Sequence, residues 1–156
     1  MRHEISRFVS SSPRQTFVLS PATVVLFELL VHRRVRVRAA WLPLLLVGYG
    51  LYRYAGDYRD RQGAGSRGFA NAPKRLITDG PYALTRNPMY LGHLLFMVGL
   101  VGVTRSPLAL VLAARAVLRF TGRVRIDEER LERAFGDEYR ASRARAPRWI
   151  GIPTDV

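Results

Sequence analysis

Two short stretches of this sequence hold most of the side chains that could do chemistry. The first, GPYALTRNPMYLGH at residues 80–93, combines glycine, proline and tyrosine with one fixed positive charge, Arg86, and runs into an apolar segment. A plain loop could be built with fewer of these residues. Proline sets turns and permits helix starts, and glycine allows close backbone approach. Those roles leave Arg86 and the two tyrosines unexplained, so the stretch indicates a functional role.

The second stretch, IDEERLERAFGDEY at residues 126–139, has the pattern of a helix with two different faces. At 100° per residue, one face of roughly 120° holds two acids together with apolar and aromatic residues. Its members are Asp127, Glu128, Leu131, Phe135 and Tyr139. Glu129 points nearly the opposite way, where a pair with Arg133 suits a solvated helix. Acids that share a face with apolar residues are unusual on a purely solvated helix, which favours a binding role for this face.

Composition excludes several kinds of site. The chain has no cysteine, which rules out disulfides, zinc–thiolate sites and cysteine nucleophiles, and we expect no metal site. GAGSRG at residues 63–68 matches the dinucleotide pattern G-x-G-x-x-G, but it neither follows a predicted strand nor opens a helix, so we interpret it as a flexible loop. The net charge of +13 comes almost wholly from arginine, since Lys74 is the only lysine. Such a charge attracts either nucleic acid or anionic lipid headgroups.

Four apolar blocks favour lipid over nucleic acid. Each block is short of the about 20 residues that cross a bilayer core, but the run LLFMVGLVGV lacks the polar stripe of a soluble bundle helix. We therefore predict an all-α fold, an integral membrane helical bundle with three to four transmembrane helices, and no nucleic-acid partner. The blocks are Phe17–Val31, Ala39–Ala55, Pro88–Val103 and Ser106–Phe120.

The length of the chain predicts a single domain, residues 1–156, with three parts. A polar arm at residues 1–16 opens the first part, and Gly136 and Pro147 are expected to bend and stop the last helix. The parts are the N-terminal helices at 1–55, a loop at 56–79, and a ligand-binding region at 80–153.

Charge predicts the orientation in the membrane. The loop and the C-terminal tail hold most of the arginine, which places both in the cytoplasm. HRRVRVR at residues 32–38 then lies on the other side of the membrane, which conflicts with the positive-inside rule. Because of this conflict, it stays open whether residues 17–31 span the membrane fully. The use of arginine in place of lysine indicates a bacterial cytoplasmic membrane, and the oligomeric state is unknown.

The two stretches, in this order around an apolar helix, resemble the isoprenylcysteine carboxyl methyltransferase and phospholipid methyltransferase family. The family pattern is G-P-Y-x-x-x-R-H-P-x-Y-x-G, a membrane helix, then an acidic pair before L-x-x-x-F-G-x-x-Y and a P-R-x-x-P-like end. The resemblance spans roughly residues 74–153 and implies an integral membrane enzyme that uses S-adenosyl-L-methionine. This chain departs from the pattern at three positions: Asn87 replaces histidine, Ser142 replaces a second tyrosine, and Gly151 lengthens the end.

The resemblance assigns roles to individual residues. It implies a cytoplasmic cofactor pocket formed by a loop and the C-terminal helix, with Arg148 and Glu128 as catalytic residues. The cofactor-binding residues that it implies are Gly80, Pro81, Tyr82, Arg86, Asn87, Pro88, Tyr90, Leu91, Gly92, Asp127, Glu128 and Tyr139.

The chemistry of the cofactor agrees with these residue types. A guanidinium binds a carboxylate through paired donors, which suits either Arg86 or Arg148, and Glu128 can accept from ribose hydroxyls or an amino group. Asparagine cannot titrate, so Asn87 argues against a general base at its position. His93 stands nearby, but we expect it to serve in packing or at the interface.

The acceptor stays open at this point. The expected partner is an amphipathic or lipid substrate from the bilayer, carrying a carboxylate, amine, hydroxyl or thiol, and anionic lipids are expected around the protein. Two alternatives explain part of the pattern: a sterol-reductase-like oxidoreductase that uses NADPH, and a non-enzymatic basic protein that binds a membrane.

Overall fold

The computed structural model describes residues 12–64 and 74–151. The first eleven residues of the predicted arm, most of the GAGSRG loop and the final positions of the predicted binding region lie outside these ranges. Within the described residues all regular structure is helical, which confirms the all-α prediction. The helices are α1 (Ser12–Val31), α2 (Leu42–Arg61), α3 (Pro81–Leu84), α4 (Pro88–Thr104) and α5 (Pro107–Arg145), with a 3₁₀ turn at Ala39–Trp41.

Helix α1 begins inside the segment that the sequence predicted as an arm. Residues 12–16 are helical, and the backbone widens to a π-helix over Gln15–Leu19. Pro21 lacks the N–H that an α-helix would direct to the carbonyl of residue 17, which disturbs the regular ladder here. The backbone N–H and the hydroxyl of Ser20 both donate to the carbonyl oxygen of Gln15, the hydroxyl at 2.7 Å. The arm prediction was therefore wrong for residues 12–16.

Two helices extend beyond their apolar blocks. Helix α2 continues to Arg61, so the predicted loop is helical over residues 56–61. Helix α5 joins the fourth apolar block to the acidic stretch without a break until Gly136, whose dihedral angles (φ 47°, ψ −117°) lie where only glycine is comfortable. The predicted bend at Gly136 is confirmed, and the helix ends before Pro147 as expected.

The residues pack into two compact units, a division that the single-domain prediction did not include. Unit 1 comprises Met1–Tyr49 and Gly92–Leu118. Helices α2 and α4 approach closely within it, because a Cβ on Gly48 would lie 2.5 Å from the Phe96 backbone nitrogen. Its buried centre consists of small and medium apolar side chains: Val24, Met97, Leu100, Ala109 and Ala113.

An aromatic group in unit 1 accounts for His93. The imidazole is buried and stacks on the Phe17 ring with centroids 4.7 Å apart, while Tyr49 and Phe96 meet Phe17 edge-on. The predicted packing role of His93 is confirmed.

Unit 2 comprises Gly50–Leu91 and Arg119–Val156. Its buried side chains include Tyr52, Ala55, Phe120, Val124 and Tyr139. Among the described residues, α1 is the single helix that is both long and apolar enough to cross a membrane, and α4 is apolar but shorter.

Candidate functional site: a buried arginine–glutamate cluster

A tight turn before α3 positions the first chemical stretch. The Tyr58 hydroxyl donates to an oxygen of Asp79 at 2.7 Å, and Gly80 follows with φ 56° and ψ −130°. A Cβ at Gly80 would come within 2.6 Å of the Tyr58 ring, so glycine is needed for both conformation and space. The turn fixes where α3 begins and hence where residues 85–87 leave it.

Residues 85–87 are bound to the segment after α5, which we name the C-terminal strap (residues 146–151). The Arg86 backbone N–H donates to the Pro147 carbonyl at 2.9 Å. The Thr85 hydroxyl and the Asn87 side-chain amide both donate to the Arg148 carbonyl, each at 3.1 Å. The Asn87 side chain, predicted to bind cofactor, thus holds the strap in place.

Three side chains form the centre of the site, and we name them the arginine–glutamate cluster: Arg86, Glu128 and Arg148. Two nitrogens of Arg148 donate hydrogen bonds to the Glu128 carboxylate, Nη2 to Oε2 at 2.7 Å and Nε to Oε2 at 3.0 Å. Arg86 Nη2 lies 3.4 Å from the other oxygen, Oε1. The exposed fractions of the side chains are 4% for Arg86, 12% for Glu128 and 36% for Arg148. Two guanidiniums on one carboxylate leave a surplus positive charge in a largely buried place.

Unused hydrogen-bonding capacity surrounds this surplus charge. The Nε and Nη1 donors of Arg86 are buried and have no hydrogen-bond partner among the described residues. The same is true of the Tyr139 hydroxyl, whose side chain is 2% exposed. A buried group without a partner costs roughly 1–3 kcal/mol, and more if it is charged, so such groups in a folded protein commonly face a ligand or water.

Glu128 shifts the pKa values of Arg148 and of the neighbouring Tyr139. Burial first, and then the negative charge of Glu128, raise the pKa of Tyr139 to about 12, so its hydroxyl stays protonated at any physiological pH. The hydrogen bond to Glu128 raises the pKa of Arg148 above its ordinary value. Tyr139 is therefore a neutral donor or acceptor here, and Arg148 is a fixed charge.

The other acid of the pair, Asp127, has a different partner. The Tyr90 hydroxyl donates to an Asp127 oxygen at 2.6 Å, and the Tyr90 ring packs on Phe120 with centroids 5.4 Å apart. Arg130 lies 3.9 Å from the second oxygen of Asp127. Tyr90 and Asp127 thus tie the start of α4 to the acidic part of α5, and they satisfy each other.

An open groove of about 530 Å³ lies beside Thr85 and the strap. No charged side chain lines it within the described residues, and its walls are aliphatic, aromatic and glycine surfaces. Three predicted site residues, Gly80, Pro81 and Leu91, belong to this wall. The sequence reasoning missed the others, Leu51, Tyr54, Leu84, Thr85, Trp149 and Ile150. The one available signal was Trp-Ile directly after Arg148.

The predicted residues therefore fall into separate places. The structure brings Arg86, Glu128, Arg148 and Tyr139 together. Pro88 is the buried first residue of α4, and Tyr82 is partly buried in unit 2. Gly92 belongs to unit 1, where its carbonyl would lie 2.8 Å from a Cβ on Gly48.

Comparison with known proteins now adds an independent observation. The family model described as phospholipid methyltransferase matches residues 41–138, well over half of the chain. The chain belongs to the phospholipid methyltransferase family. The match includes the whole first stretch and Glu128, and it ends just before Tyr139.

One relative extends this family assignment. Protein-S-isoprenylcysteine O-methyltransferase B of Arabidopsis thaliana is 32% identical over 80 residues, which are 51% of this chain. The chain spans only 40% of the length of that relative. Both matches confirm the resemblance that the two sequence stretches indicated.

Proposed function

We propose that this member of the phospholipid methyltransferase family transfers a methyl group from S-adenosyl-L-methionine to a lipid-like acceptor at a membrane. Family membership supports methyl transfer, and the related protein is named for O-methyl transfer to S-isoprenylcysteine. S-adenosyl-L-methionine supplies an electrophilic methyl group on a sulfonium. The contribution of the protein is to bind, orient and exclude water, since displacement on a methyl group depends mainly on proximity.

The single observation that carries the proposal is the pair of separate, unused donors on Arg86. Its Nε and Nη1 are buried without a hydrogen-bond partner among the described residues, and each can donate a charge-assisted hydrogen bond to a carboxylate oxygen. The sequence left Arg86 and Arg148 as equal candidates for the carboxylate of the cofactor. The geometry favours Arg86, because Arg148 already spends Nε and Nη2 on Glu128.

Glu128 and Arg148 fit a supporting role first. Both oxygens of Glu128 are engaged, and the pair holds the Arg86 guanidinium from one side. A carboxylate ligand on the open side of Arg86 would cancel the surplus charge of the cluster. The catalytic roles of Glu128 and Arg148 stay predictions, and Tyr139 offers one neutral hydroxyl to the same ligand.

The groove suits the hydrocarbon part of an acceptor. A volume of about 530 Å³ lies within the range of roughly 300–1,000 Å³ typical of small-molecule sites, and its uncharged walls bind apolar chains. Thr85 lies between the groove and the cluster, because it lines the groove and is followed in the sequence by Arg86. Unit 2 contains no histidine, and Asn87 cannot titrate. An acceptor that needs no proton removal, such as a carboxylate, therefore fits best.

Membrane placement is part of the proposal. Helix α1 has sufficient length and apolar character, and exposed leucines and valines on α1 and α5 suit contact with lipid tails. We propose three to four crossings in a bacterial cytoplasmic membrane, with the arginine–glutamate cluster facing the cytoplasm and anionic lipids around the protein. The shorter α4 would need local adjustment of the bilayer.

Two measurements test the proposal. The first is isothermal titration of the detergent-solubilised full chain with S-adenosyl-L-methionine and S-adenosylhomocysteine, with thermal unfolding as proof of folding. The second is mass spectrometry of membrane lipids after incubation with labelled S-adenosyl-L-methionine. Arg86→Gln should lose binding while the exposed control Arg133→Gln keeps it. No binding by the folded wild-type chain would overturn the proposal.

A further inference from the structure

The segment between α1 and α2 carries charges that the proposed methyl transfer does not use. We name residues 32–41 the basic link. Arg33, Arg34 and Arg38 are exposed and have no ion pair or side-chain hydrogen bond with the part of the chain that the structure describes. Arg36 differs, because it interacts electrostatically with Glu28 of α1. Three guanidiniums on a short segment thus lack a counterion among the described residues, which leaves them available to an external anion.

The basic link is held in a defined conformation. Arg33 adopts φ 54°, and Arg38 is extended with φ −100° and ψ 100°. The Arg38 backbone N–H donates to the Val103 carbonyl at 3.0 Å, which satisfies one carbonyl at the C-terminal end of α4. Because the backbone is fixed at this point, the arginine side chains extend from a set place on the surface of unit 1.

Apolar side chains alternate with these charges. Leu30, Val31 and Val37 are exposed around the link, and Val37 shows 62% of its surface. Trp41 is 42% exposed, yet its ring packs against α4, where a Cβ on Gly102 would lie 2.3 Å from Cδ2. One face of the indole is therefore anchored while the rest is open.

The combination separates a lipid surface from the other candidate partners. A solvated run of charge, or cations that only balance the dipole at the end of a helix, would not need exposed valine, leucine and tryptophan beside them. Nucleic acid would neutralise the arginines but leave the same apolar side chains in water. At the bilayer interface, arginines meet phosphates, aliphatic side chains enter the acyl boundary, and tryptophan lies at headgroup level.

We propose that the basic link is a binding site for the phosphate headgroups of anionic phospholipids, with Trp41 seated at the bilayer interface. The inference goes beyond methyl transfer and rests only on the proposed membrane placement of unit 1. It also gives the charge of residues 32–38 a purpose where it conflicts with the positive-inside rule. Each arginine near an anionic membrane surface strengthens the attraction to that surface about five-fold.

Fluorescence quenching of Trp41 provides the test. The chain has two tryptophans, so Trp149→Phe leaves Trp41 as the one indole reporter. The protein is placed in nanodiscs with a small fraction of brominated phosphatidylglycerol or brominated phosphatidylcholine. We expect several-fold stronger quenching by phosphatidylglycerol. Replacing Arg33, Arg34 and Arg38 together with glutamine should make the two lipids equal.

A matched control removes the same charge elsewhere. Arg75, Arg125 and Arg145 are also exposed, and changing all three to glutamine should leave the lipid preference intact. Equal quenching by both lipids in the Trp149→Phe chain would overturn the inference, as would a preference that survives in the link variant. Binding of an oligonucleotide that depends on the link, without any lipid preference, would assign nucleic acid instead. Trp41 that neither lipid quenches would contradict the membrane placement as well.

Discussion

Two faces of α5 carry the same ion-pair chemistry in opposite surroundings. Glu128 lies in the arginine–glutamate cluster with its side chain 12% exposed, whereas Glu129, the next residue, pairs with Arg133 at 3.4 Å and is 67% exposed. The exposed pair is screened by water and contributes little. In the buried cluster every charge loses hydration. The single Glu128 carboxylate compensates only part of this loss, because it faces two guanidiniums. The difference supports the proposal that the buried face binds a ligand.

The surplus charge is what separates the two faces. Glu129 and Arg133 balance each other, while Glu128 faces two guanidiniums, and Arg86 keeps two buried donors unused. A fold optimised only for stability would pair these donors or replace them with apolar side chains. In the proposed function, the carboxylate of the ligand supplies the missing negative charge at this place.

The largest expected effect separates the two glutamates directly. Glu128→Gln leaves two partly buried guanidiniums without a counterion, so we expect the free energy of unfolding to fall by roughly 3–5 kcal/mol. Glu129→Gln should change it by less than about 0.5 kcal/mol, because the pair is exposed. Denaturant unfolding of both variants in the same detergent measures the contrast. Equal losses would mean that burial does not distinguish the two faces.

A second prediction concerns alkaline pH. The pKa of Tyr139 is about 12 in the folded chain and about 10 when unfolded, so the unfolded chain ionises first as pH rises. The resulting stability is complete below about pH 10 and is lost progressively towards pH 12, by about 2–3 kcal/mol in total. Tyr139→Phe should remove this part of the pH dependence. A thermal-unfolding series across that range that is identical in both chains would contradict the burial of the hydroxyl beside Glu128.

A smaller effect is expected at Asn87. Asn87→Asp replaces the amide donor with a carboxylate facing the Arg148 carbonyl, which should cost about 1–3 kcal/mol and loosen the strap. Asn87→His, the residue of the family pattern, retains a ring N–H and should keep most of the stability and cofactor affinity. Unfolding and titration of both variants provide the measurement. Equal stability and equal cofactor affinity of the two variants would mean that the hydrogen bond from Asn87 to the strap does not stabilise the protein.

The sequence predicted the chemistry of the site better than its shape. The shared face of Glu128 and Tyr139 followed from helical periodicity, and their proximity to Arg86 followed from the family pattern. The strap could not be predicted, because the bonds from Thr85 and Asn87 go to a backbone carbonyl more than sixty residues away. Such a bond leaves no periodic signal in the side chains.

The fold shows the same division. The all-α class and the bend at Gly136 could be predicted from the sequence, because they depend on local pattern and on one backbone conformation. The start of α1 at Ser12 was not, because polar serine and arginine in its first turn have the composition of an arm. Likewise the charged end of α2 looks like a loop by composition, although its helix continues to Arg61.

The most direct test compares S-adenosyl-L-methionine with its decarboxylated analogue by isothermal titration, in the wild-type chain and in Arg86→Gln. The variant should fold, because Glu128 and Arg148 then form a balanced pair. We predict that the wild-type chain binds the complete cofactor about 10- to 150-fold more tightly, the value of charge-assisted hydrogen bonds, and that Arg86→Gln loses this preference. A preference that persists in Arg86→Gln, or that is absent from the wild-type chain, would contradict the claim that Arg86 receives the carboxylate.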